Sequence, residues 1–432
     1  MPVGVGRGCS GARRLTPFLL VLSALLAAAA LPSTSLAATC TVVNGTTSQS
    51  YTSLQAAVNA AKAGDTLTIA GTCAGETTVD RNLTLERATG LMSKPTLGGV
   101  TVSEGVAVSF AQLKLADGVS APNGGTVNVS GCTLTGSIVG GESAVGRHLD
   151  LQMVGSRLTK AGIGIAGSAS VAESVITGNS GAGISVFGEI EVTSSTISKN
   201  AGIGIKGHTG NIVLTGSKVV GNKGGGLEDD RATIYLSNST VTGNTGAARG
   251  GGIAAWQATV QLAGTSSVSK NSTTGAGGGV WADEYTDVVL EGSASVKANT
   301  ASAEGGGIYA SGNTFVTLKD KASVKKNATA SRGAGIYAGI AYSEEEPTKV
   351  TLGDSSLVAG NKATEAGGGV YLRGIGSILE LAGSSWIKMN EAGTNGGGVF
   401  IGKNEFGAGT LIYGAGWNGV ISGNLPDNVF AQ

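Results

Sequence analysis

The sequence predicts an all-β chain wound as a right-handed parallel β-helix, a solenoid of about 12–13 coils with three strands each and a short N-terminal capping helix. Three observations predict it. A phrase of the form β-branched residue, two variable positions, Asn recurs ten times between residues 176 and 424. Each period carries short runs of alternating apolar and polar residues and no helix-forming stretch. Glycine supplies 74 of the 432 residues, clustered between those runs. It shows neither the strict triplets of collagen nor the polar filler of a disordered chain.

In chain order, residues 1–38 read as a secretory signal peptide. Arg7, Arg13 and Arg14 precede an apolar run from Phe18 to Leu31, and Ser35 to Ala38 supplies small residues for cleavage. The run falls short of the roughly 20 residues that span a bilayer. No second long apolar run follows. The mature chain is therefore expected to be secreted or held at the cell surface, without a membrane span.

Residues 39–64 are expected to cap the rod's first end, where open strand edges would invite aggregation. From Tyr51 to Ala63, Leu54, Ala57, Val58 and Ala61 recur at helical spacing, Ser50 or Thr52 can cap the start, and Gly64 can end it. Cys40 and Cys73 bracket the segment. Export permits a disulfide between them, although spacing alone leaves the pairing open. Cys132 is expected to be a buried thiol in an apolar interior.

Residues 65–424 form the predicted β-helix, starting with Thr66-Leu-Thr-Ile69 as first strand. The recurring asparagines are Asn179, Asn200, Asn222, Asn244, Asn271, Asn299, Asn327, Asn361, Asn390 and Asn424, at intervals of 21 to 34 residues. They fall at one corner of each coil, where stacked amides can bond along the rod and satisfy turn backbone. Between Asn244 and Asn271 the three strands are carried by Ile253, by Val260 with Leu262, and by Val268. Alternation sends these residues inward and Ser, Thr and Lys outward. Coils lengthen from 22 to 28 residues by insertion just after the asparagine, first at Asn244-Thr-Gly-Ala-Ala-Arg249. Longer insertions at 341–349, with Glu344-Glu345-Glu346, and at 402–409 belong to another corner; the acidic run reads as a solvated loop. The last segment, 425–432, is a short apolar tail or cap.

Removing 1–38 leaves 26 basic against 29 acidic residues. No basic patch is available to neutralise phosphates, which excludes nucleic acid as the main partner.

The segment Ser53-Leu-Gln-Ala-Ala-Val-Asn-Ala-Ala-Lys-Ala-Gly-Asp65-Thr-Leu-Thr-Ile69 resembles the opening of secreted bacterial pectin-lyase-like β-helix proteins. The Gly-Gly-Gly-Val/Ile-aromatic repeats at 277–281, 305–309, 333–337 (Gly-Ala-Gly here), 367–371 and 396–400 resemble repeats of polymorphic outer-membrane proteins and adhesins. The resemblance implies the fold. It leaves the activity open, because this scaffold carries lyases, hydrolases and adhesins. Self-anchoring proteins of this kind carry a C-terminal membrane barrel, and none is expected here.

Aligning the coils exposes two outward columns. One carries Trp281, Tyr309, Tyr337, Tyr371 and Phe400 on consecutive coils and is expected to face solvent, either as a platform for sugar rings or as a stabilising ladder. The other carries His208, Asp230, Trp256 and Asp283. Asp230 and Asp283 should stand near 10 Å apart with Trp256 between them. A glycosidase wants such a carboxyl pair, whereas a lyase wants oxygen ligands for Ca²⁺ and a base. Gly207-His208-Thr-Gly210 resembles the Gly-His-Gly of polygalacturonases, yet that family's Asn-Thr-Asp and Asp-Asp elements are missing from the neighbouring coils.

The sequence thus favours a non-catalytic surface or matrix protein without cofactors. Its expected partner is a polysaccharide or another cell-envelope component, bound through Trp281, Tyr309, Tyr337, Tyr371, Phe400 and Trp256. The alternative is a polysaccharide lyase or glycoside hydrolase acting on acidic polysaccharide, with Asp230, Asp283 and His208 at the reaction and Ca²⁺ only in the lyase case. A purely structural spacer is a third reading.

Overall fold

A computed structural model describes residues 39–339 and 347–432. The expected signal peptide and the Glu344-Glu345-Glu346 run lie outside the described residues. The rest is a right-handed parallel β-helix with three long faces. The face preceding each asparagine, here the asparagine face, has fifteen strands, from Thr72–Cys73 to Val420–Ser422. That is two or three coils more than the repeat count predicts. The surplus lies before Asn179, where strands such as Lys114–Leu115 and Thr133–Leu134 stack in the same ladder without the recurring phrase. Ile163–Ala172 runs through a corner, so the other two faces join into one 31-stranded sheet.

Alternation builds the interior. Leu149–Val154 is buried at every second residue. Val219, Val241, Val268, Val296 and Val324 stack in register inside the asparagine face, each fully buried. Burying such a side chain stabilises by roughly 1.5–3 kcal/mol. A repeat that places one β-branched residue per coil at this position therefore makes the core continuous.

The polar corners are ordered too. Asn222 Nδ2 donates to Asn244 Oδ1 at 2.9 Å, and the pattern continues through Asn271, Asn299, Asn327, Asn361 and Asn390 to Asn424. A second ladder escaped the sequence reading. Ser156, Ser174, Ser195, Ser217 and Ser239 are buried at the opposite end of the same strands, and each hydroxyl accepts the backbone N–H of the rung below. Cys132 is its lowest member, donating its own N–H to Ser156 Oγ. The thiol is buried and free, and burial pushes it above the ordinary thiol range. It packs in the main apolar core as expected, and it also takes a serine's place in the corner ladder, because the corner repeats even where the residue type changes.

At the N-terminal end the helix is shorter than predicted, Leu54–Ala60, and Ser53 caps it by accepting the Ala56 N–H. Ser50, a predicted cap, belongs to the strand Ser50–Tyr51. Thr41–Asn44 pairs antiparallel with Thr66–Ala70 and closes that sheet edge, and a disulfide ties Cys40 to Cys73. At the C-terminal end Val429–Ala431 adds a parallel strand to Val399–Ile401, so the expected tail is part of the last coil. Asn428 Oδ1 accepts from Asn424 Nδ2 at 3.1 Å and stands in for the missing next rung. The insertion at 402–409 is a small hairpin, Lys403–Asn404 against Gly407–Ala408. Among the described residues no helix is long and apolar enough to cross a membrane.

Candidate functional site: a groove beside the first inserted strand

The residues inserted after Asn244 make a strand of their own. Ala247–Arg249 starts a fourth, six-stranded ladder that continues through Ser272–Ala276, Thr300–Ala301, Ala328–Thr329, Lys362–Ala363 and Glu391–Ala392. From there the chain turns back toward the aromatic column. Gly305, at φ 69°, lies so close to Tyr309 that a Cβ would sit 2.7 Å from the tyrosine Cα, and Gly277, Gly333, Gly367 and Gly396 repeat the contact. Only glycine fits a left-handed turn pressed against backbone.

This arrangement corrects the expectation of a solvent-facing platform. Trp281, Tyr309, Tyr337, Tyr371 and Phe400 do stack, with Phe430 as a sixth ring, at centroid spacings from 4.8 to 6.4 Å. Four of the five predicted rings are covered, however, and Tyr309 is partly so. Tyr337 is 3% exposed, and Trp281, Tyr371 and Phe400 are also buried. Ala366 packs among these rings, Arg332 lies over Tyr371 and Arg249 over Trp281. The ring faces stack on one another instead of lying open to solvent. The column is a second hydrophobic core, formed because the longer coils fold over it.

The shorter coils carry no such cover, and a notch opens where it begins. A groove of about 400 Å³ is lined by Glu228, Asp230, Arg249, Trp256, Asp283 and Glu284, with Ala247 and Ala248 of the first inserted strand as one wall and Trp281 at the covered end. Asp230, Trp256 and Asp283 end successive strands in strict register. The two acids thus stand about 10 Å apart at the backbone. Arg231 lies over the Trp256 ring at 5.0 Å.

The carboxylates differ in their partners. Glu228 accepts from Lys206 Nζ at 2.6 Å. Asp283 Oδ1 accepts the Glu284 N–H, and burial pushes its carboxyl above the usual range. Asp287, on the far side of the turn, is also pushed up by burial and does not line the groove. His208 is not in the groove either. Its ring stacks on Phe187 at 4.1 Å, and burial, with Lys206 second, lowers its pKa. Directly behind the floor, Asp229 points into the core, wholly buried and with neither oxygen hydrogen-bonded. Burial raises it to about 7.

The sequence reading found Asp230, Trp256 and Asp283, because the repeat aligns them. It missed Arg249, Ala247 and Ala248. Nothing periodic marks them, since they sit in the insertion that breaks the period. A second groove of about 620 Å³ lies further down the same face, lined in part by Val139, Glu142 and Phe187. Among the described residues no group of three or more His, Cys, Asp or Glu side chains is placed to hold a metal ion.

An unbroken ladder face with a covered half and an open half defines a protein of the β-helix class. Residues 187–346, which include the whole groove, match the family described as a right handed beta helix region. No curated protein and no solved structure matches the chain.

Proposed function

We propose that this is an exported, non-catalytic β-helical surface or matrix protein that binds a saccharide in the groove around Trp256. The observation that carries the reading is the in-register trio Asp230, Trp256, Asp283 in a concave notch of about 400 Å³. An indole ring offers an apolar face to a sugar ring, and flanking carboxylates accept its hydroxyl hydrogens. The signal-like segment 1–38 supports export. Binding of the mature protein to an array of polysaccharides, with and without Trp256→Ala, tests the reading: binding unchanged by the substitution would refute it.

One observation favours a glycoside hydrolase as second reading, namely two carboxylic residues lining the groove one coil to either side of Trp256, one of them raised by burial. Their backbone separation of about 10 Å is near the upper end for an inverting pair, which works at roughly 6.5–9.5 Å between carboxyls. Release of reducing ends that disappears in Asp283→Asn would establish that reading in place of the first.

A further inference from the structure

The groove's charges are not balanced by its own residues. Four carboxylates line it, from Glu228, Asp230, Asp283 and Glu284, against one lining cation, Arg249. Lys206 neutralises Glu228. Arg249 lies over the Trp281 ring at 4.8 Å and forms no ion pair among the described residues. Asp230, Asp283 and Glu284 form none either; Glu284 only accepts a 3.3 Å hydrogen bond from the Gln257 amide. Arg231 lies over one face of the Trp256 ring and does not line the notch. Behind the floor, Asp229 adds charge of the same sign whenever it is ionised.

A carboxylate withdrawn from water without a cation is costly, and that cost falls when a cation arrives with the ligand. Asp283 meets the first condition, since burial disfavours its charged form. An acidic sugar polymer would instead bring its carboxylates against three of like charge. Like charges facing each other across an interface cost several kcal/mol.

Accepting the saccharide-binding reading, we infer that the ligand is a polysaccharide bearing free amines, whose ammonium groups lie between Asp230, Asp283 and Glu284 while a sugar ring stacks on Trp256. The same site rejects polyuronates, the acidic polymers implied by the resemblance to pectin-lyase-like proteins. Arg231 and Arg249 are held over the two indoles and ion-pair with none of these three carboxylates, although Arg249 stands near enough to Asp283 to favour its charged form in part.

The test uses the mature chain and three polymers coupled to beads: an N-acetylated β-1,4-glucosamine polymer, the same polymer deacetylated, and a polyuronate. Binding is measured in mildly acidic buffer, where the amines are protonated, at low and high salt. The deacetylated polymer should bind roughly tenfold or more above its parent, the worth of one charge-assisted hydrogen bond. High salt should erase the difference. Asp230→Asn with Asp283→Asn, near-isosteric changes checked for folding by circular dichroism, should bring the two polymers level. Equal binding of both by the unaltered chain, lost in Trp256→Ala, would overturn the charge inference and leave the saccharide reading standing. Preference for the polyuronate would overturn it as well. Failure to bind any polymer, with capture of a lysine-rich peptide instead, would overturn both.

Discussion

Asn299 donates twice to Asn327, from its backbone N–H at 2.9 Å and from Nδ2 at 3.0 Å, and both bonds end on the same Oδ1. Its Nδ2 also donates to the Val268 carbonyl at 3.0 Å. From Asn200 to Asn424 each amide thus fastens the corner of one coil to the next. Asn327→Ala removes the acceptor from two buried donors and should cost roughly 2–4 kcal/mol, seen as a lowered denaturation midpoint. Asn179 is the comparison. Neither atom of its amide is hydrogen-bonded, so Asn179→Ala should cost less than about 1 kcal/mol.

The covered aromatic column and the open groove separate stability from binding. Tyr337→Ala empties a buried site and should destabilise by roughly 3–5 kcal/mol, with saccharide binding unchanged. Trp256→Ala should do the reverse, abolishing binding with little change in the unfolding midpoint. Parallel thermal melts and binding assays on the two variants would expose any exchange of these roles.

Asp229 predicts a pH dependence of stability. Its folded pKa of about 7 stands above the ordinary aspartate value of 3.8, so the folded state holds a proton that the unfolded chain releases. Stability from this group is complete below pH 3.8, declines as pH rises toward 7 and levels off above that. The full swing is up to about 4 kcal/mol. Asp229→Asn should flatten this part of the stability profile between mildly acidic and neutral pH, measured by denaturant titration at several pH values.

Gly305 and Gly181 make a matched pair of substitutions. An alanine at Gly305 places its Cβ 2.7 Å from the Tyr309 Cα at φ 69° and should destabilise by more than about 1 kcal/mol. At Gly181 a Cβ meets nothing within 4 Å, and alanine should be neutral or slightly stabilising. Differential melting of the two variants checks the geometry of the cover.

The Cys40–Cys73 bridge closes a loop of 33 residues around the N-terminal cap. Reduction, or Cys40→Ser with Cys73→Ser, should cost about 3–4 kcal/mol by the chain-entropy account. Hydrogen exchange should rise first in Thr41–Asn44 and the helix Leu54–Ala60, which the bridge holds to the first coil.

By itself the sequence determined the winding of the chain. One β-branched residue and one asparagine per period place like side chains on like corners, and stacking them is the one arrangement that buries the first and pairs the second. That logic also aligned Asp230, Trp256 and Asp283, since residues one period apart become neighbours. It undercounted the coils because the strands before Asn179 keep the ladder without the recurring asparagine. Only the tertiary structure decided which outward column meets solvent. Outward from a strand is not the same as exposed: the inserted residues from Ala247 onward fold over Trp281 and the tyrosines and stop short of Trp256. The path of an insertion is set by packing against distant coils, and no local periodicity records it.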